Sequence, residues 1–122
     1  MPFTATVERR ASEACRRLEL AGTVTDREGA PLEGYPVHIW GPGVNRIVLS
    51  GSDPTYGPSG WSVVLEEGNV STRGTWYAQL HRYDAYRGHP PLSAVVRVEM
   101  TGTCSESIAI IHFQEAQEGG NR

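Results

Sequence analysis

At 122 residues the chain has the length of one domain, and enough of it to bury a core without a metal. With 39% hydrophobic and 20% charged residues, 14 Gly and 8 Pro, it favours short strands and many turns over long helices. The formal charge of −3, with 11 scattered basic residues, gives no basic stripe, and no apolar run approaches the ~20 residues that span a bilayer; neither nucleic acid nor membrane insertion is expected.

The opening "MPFTATVERRASEACRR" lacks the apolar centre of a signal peptide, so any export signal is expected to lie outside this sequence. Within it, Phe3, Ala5 and Val7 alternate with Thr4 and Thr6. Residues 1–14 therefore read as an extension or linker, as an extra N-terminal strand, or as a donor strand that pairs Phe3, Ala5 and Val7 with a neighbouring copy's open edge. Residues 15–114 read as the folded domain, and "EAQEGGNR" as a flexible tail over residues 115–122.

From Leu18 to Thr25, Leu18, Leu20, Gly22 and Val24 share one face, the two-residue period of a half-buried strand. "DREGAP" turns the chain, with Gly29 suited to positive φ and Asp26 to a side-chain cap. A second strand sets Tyr35, Val37 and Ile39 against His38 and Trp40, so the pair reads as a hairpin or as two strands joined by a wider loop. Short strands follow at "RIVLS", "GWSVVLEEG", "GTWYAQL", "LSAVVRVEM" and "IAIIHF". Seven strands with turn chemistry between them predict an all-β, antiparallel, Ig-like sandwich. Trp61 and Trp76 fall in phase with apolar neighbours and read as core, whereas Trp40 opposes them. The loop "GSDPTYGPSG" is long enough to cover an outer face, Trp40's included.

Cys15 and Cys104 each lie just outside a predicted strand, without the spacing or clustered His of a zinc site. They either pair, which places the protein in an oxidising compartment, or remain free thiols.

"LAGTVTDREGAPLEGYPVHIWG" resembles the opening of carboxypeptidase regulatory-like domains, which are small transthyretin-like (prealbumin-like) sandwiches. The pattern G-x-V-x-D-x-x-G-x-P-L-x-G-x-x-V is met by Gly22, Val24, Asp26, Gly29, Pro31, Leu32, Gly34 and Val37. "SGSDPTYGPSGWSVVLEEG" is similar to the family's Asp-to-Gly turn into an aromatic strand, and "GTWYAQL" and "CSESIAIIHF" to its closing strands. The resemblance implies a non-catalytic spacer, stalk or adhesion module of a bacterial surface protein, with other domains or copies of that protein as partners. The same fold hosts the 5-hydroxyisourate hydrolases, whose closing Tyr-Arg-Gly-Ser "YRGH" resembles. Here Ala21 and Gly22 stand where that family's first strand begins with a catalytic His, His89 replaces the Ser, and about thirty residues follow the tetrapeptide.

No Gly-x-Ser-x-Gly elbow is present, and Ser59 in "GPSGW" reads as a turn residue. Only His81, Asp84 and His89 are close enough in sequence to attempt a metal, and loop polarity explains them equally well. The expectation is no catalytic residue, no metal and no cofactor. Trp40, Tyr56, Tyr83 and Tyr86, at strand ends or in loops, are the candidate ligand-binding residues, because flat exposed rings stack on sugars or anchor proteins. The sequence thus predicts an extracellular or cell-surface structural or adhesion module, with polysaccharide binding as the alternative and a hydrolase as a remote one.

Overall fold

The computed structural model describes residues 1–82 and 90–117. Among them are the strands β1 (Phe3–Arg10), β2 (Arg17–Thr25), β3 (Pro36–Gly41), β4 (Val44–Leu49), β5 (Trp61–Glu67), β6 (Arg73–Leu80), β7 (Val96–Thr101) and β8 (Ile108–Glu115). They form two four-stranded sheets, ordered β1-β8-β2-β5 and β4-β3-β6-β7, which face each other as a sandwich.

Two readings left open by the sequence are decided, and one expectation changes. The strands number eight: Phe3–Arg10 pairs along its whole length with β8 of its own chain, from Phe3 opposite Glu115 to Arg10 opposite Ile108. Phe3 is the reason, since its ring is buried in the common core beside Tyr35. The sandwich is also not wholly antiparallel, because β2 and β8 run parallel, Glu19 opposite Ile108 through Thr25 opposite Gln114. A parallel pair needs a long crossover, and everything from β3 to β7 supplies it. Finally, β2 and β3 are no hairpin. With β8 and β5 on its two sides, β2 has no free edge, so the chain crosses to the other sheet. The turn between them still forms as its residues dictate: Asp26 Oδ1 accepts from Glu28 N at 2.9 Å and Ala30 N at 2.8 Å, and Gly29 takes a φ of +87°.

The segment expected as a strand from Leu92 joins the ladder only at Val96. Leu92 and Ser93 are buried ahead of it, and Ser93 Oγ accepts from Leu80 N at 3.0 Å. A side chain there replaces a backbone partner.

Alternate residues of both sheets meet in one core, with Leu18, Leu20 and Val24 of β2 opposed by Val37, Ile39, Ala78 and Leu80. Each such aliphatic side chain contributes about 1.5–3 kcal/mol on burial. Trp61 and Trp76 are both buried, as their phase predicts. Trp61 lies against Gly22, where an added Cβ would stand 2.6 Å from the indole and 1.9 Å from Ile111 O. Gly22 is therefore a spacing residue, leaving the room that the largest fully buried side chain occupies.

Cys15 and Cys104 are bonded, with Cα atoms 5.4 Å apart and a sequence separation of 89. The bridge joins the 3-10 turn before β2 to the one before β8. Beside it, Ser107 Oγ accepts from Ser12 N at 2.8 Å, and Arg9 of β1 donates to Glu99 O of β7 at 2.7 Å, linking the edges of the two sheets.

Gly22→Ala is expected to lower the unfolding free energy by about 3 kcal/mol or more, read from the denaturant midpoint, because neither backbone nor indole can move aside. Reduction of the Cys15–Cys104 bridge should lower it by about 2–4 kcal/mol, the range for a long closed loop, and mass spectrometry should show the gain of two hydrogens.

Candidate functional site

The outer faces of the two sheets differ. On the first sheet, the loop between β4 and β5 folds back over β2 and β8. Its Tyr56 packs on Ala21, Ile108 and Ile110, a second small apolar cluster. Asp53 holds that loop, accepting from Thr55 N at 3.0 Å and Ser62 Oγ at 2.6 Å, and the Ser62 hydrogen bond is the first cause of its lowered pKa. Beneath the ring lies Glu19, a buried carboxylate that accepts from the Tyr56 hydroxyl and from Arg17 Nε at 2.8 Å. Burial, then the hydrogen bond to Glu19, raises the Tyr56 phenol well above its ordinary value. The loop expected as a possible cover for Trp40 thus covers the opposite sheet.

The outer face of β4-β3-β6-β7 has no such cover among the described residues. Its centre is a row across four strands: Asn45 on β4 is opposite Trp40 on β3, Trp40 opposite Tyr77 on β6, and Tyr77 opposite Arg97 on β7. The Trp40 and Tyr77 rings are stacked, centroids 5.5 Å apart and planes 20° from parallel. His38, two residues along β3, lies on Trp40 with centroids 4.6 Å apart, and His81 follows at 6.2 Å from His38. The His38 ring also bonds Asn45 Oδ1 at 2.7 Å. At the far end Arg97 pairs with Glu99 at 2.5 Å; that bond, and more weakly one with Tyr77, raises the guanidinium pKa. Ile47 and Leu49 of β4 are exposed at 41% and 49%, and by strand alternation they share this face.

Of the residues expected to bind a ligand, Trp40 lies in this row, half-buried. Tyr56 lies on the other sheet with its hydroxyl engaged, so the two share no surface. Tyr83 and Tyr86, with Asp84 and His89, lie outside the described residues. Phe3, Ala5 and Val7, expected as an assembly strand, belong to β1: Phe3 is buried, Ala5 packs on the core and Val7 is exposed. Tyr77 is the residue that sequence reasoning passed over. Its outward phase in "GTWYAQL" was legible, but its position opposite Trp40 follows from the β3–β6 register.

No group of three or more His, Cys, Asp or Glu able to hold a metal occurs among the described residues. Ser59 is buried, its Oγ accepting from Val24 N at 3.1 Å, a structural bond that ties the loop before β5 to β2. Ala21 and Gly22 are enclosed within β2. No helix among the described residues is long and apolar enough to cross a membrane. No protein-family model matches the chain, and no curated protein does.

A double-mutant cycle on Trp40→Ala and Tyr77→Ala, followed by chemical denaturation, should give a coupling of about 0.5–1.5 kcal/mol, the range for paired aromatic rings. Additive losses would mean that the stack adds nothing beyond each ring's own contact with the sheet.

Proposed function

We propose that this chain is a non-catalytic module of an extracellular or cell-surface protein, of the transthyretin-like, carboxypeptidase regulatory-like kind. Its role is to hold another domain or copy of that protein against the outer face of β4-β3-β6-β7. The observation that carries this reading is the open aromatic row on one sheet beside the covered face of the other. An aromatic centre with apolar neighbours and a charged margin is the composition of interface cores. A small sandwich stiffened by a disulfide suits a spacer or stalk that works in an oxidising compartment. Strand addition is a second form of the same role, since among the described residues β8 is the only strand beside β1, and on its other side Phe3 N donates to Leu92 O at 2.8 Å.

Polysaccharide binding is the alternative, favoured by the stacked Trp40–Tyr77 pair between the Asn45 amide and the Arg97 guanidinium. Against it, the His38 and Tyr77 rings both lie on Trp40 and take up ring surface that a sugar would need.

Sedimentation of the purified chain across concentrations tests self-association through this face, and titration of Trp fluorescence with cell-surface polysaccharides tests the alternative. Self-association weakened at least tenfold by Trp40→Ala is the expected result. A Trp40-dependent response to polysaccharide alone would favour the alternative. A protein that stays monomeric and answers no polysaccharide would retain only the spacer role.

A further inference from the structure

His38 and His81 stand out from the other histidine on the described strands. His112 has both ring nitrogens engaged, one with Thr23 Oγ1 and one with Glu8 Oε1, each at 2.7 Å. His81, by contrast, is half-buried and its ring has no hydrogen-bond partner among the described residues. Among the described residues His38 bonds through Nε2 only, and because its partner Asn45 Oδ1 is an acceptor, Nε2 carries the proton and, in the neutral ring, Nδ1 keeps its lone pair.

We propose that His38 and His81 form a two-imidazole site for a divalent transition-metal ion of the copper(II), nickel(II) or zinc class, contrary to what the sequence suggests. His38 lies in β3, and His81 directly follows β6, where its N donates to Pro36 O at 2.9 Å. With His38 opposite Gln79, His81 is its diagonal neighbour on the same face. The ring centroids are 6.2 Å apart. An ion roughly 2.0–2.1 Å from one nitrogen of each ring holds the centroids about 5–6 Å apart, a separation reached by small side-chain rotations. Neutral imidazole is a preferred ligand for these ions. A metal-binding histidine characteristically donates its other N–H to a fixed oxygen, the part Asn45 plays for His38. Two protein ligands leave the remaining positions to water, so the site is open on its solvent side.

Trp40 supplies the readout, its ring 4.6 Å from that of His38, whereas Trp61 and Trp76 lie in the core. Titration of the full chain with copper(II) should quench Trp40 fluorescence saturably with one ion per chain, and zinc should compete for the site without quenching. His38→Gln and His81→Gln should each weaken binding at least tenfold, Asn45→Ala by about tenfold, and His112→Gln should leave it unchanged. Far-UV circular dichroism confirms that each variant folds. Binding that persists in both His38→Gln and His81→Gln, or no saturable binding of either ion, would overturn the site.

Discussion

The contact between Trp61 and Gly22 orders much of the molecule. The indole occupies space that only a residue without Cβ leaves open, and this fixes the start of β5 beside β2. Because Trp61 opens β5, the preceding loop must close immediately before it. Gly60 O accepts from Gly51 N at 2.9 Å and Asp53 N at 3.0 Å, and a Cβ on Gly60 would stand 2.1 Å from Asp53 O. The loop is thereby turned onto the outer face of β2 and β8, where Tyr56 meets Glu19. A packing requirement inside the sandwich thus decides which outer surface is covered.

The consequence is two unlike surfaces. On the first sheet, a buried carboxylate is made tolerable by Arg17 and the Tyr56 hydroxyl, since an unpaired charge at that depth would be strongly unfavourable. On the second, aromatic and aliphatic side chains face outward, stacked on one another but without a covering layer among the described residues. The proposed docking role and the proposed ion site both draw on this second surface, through different atoms: ring surfaces and aliphatic groups for the former, imidazole lone pairs for the latter.

The edges are treated unlike each other as well. Arg9 reaches from β1 to the backbone oxygen of Glu99, so a guanidinium occupies part of the gap between the sheets. The disulfide reinforces the same end by joining the approaches to β2 and β8, two strands paired in parallel although far apart in the chain, Glu19 opposite Ile108. Covalent closure of a long loop suits that position, because the loop-closure entropy opposing such a pair is large.

Strand periodicity by itself determined much here. The two-residue alternation placed Leu20, Val24, Ile39, Trp61 and Trp76 inside and His38, Trp40 and Tyr77 outside, and Asp26 and Gly29 specified their turn through local chemistry. Alternation is a property of each segment alone, so it could be read without knowing any partner. Which strands are neighbours could not be read in this way: that Phe3–Arg10 joins β8, that β2 pairs parallel with β8, that Tyr77 lies opposite Trp40, and that the loop around Tyr56 covers Glu19. Those choices depend on pairing between residues far apart in the chain and on which side chain fits over Gly22. Only the assembled tertiary structure decides them, because the energy that selects them exists only once both sheets are in contact.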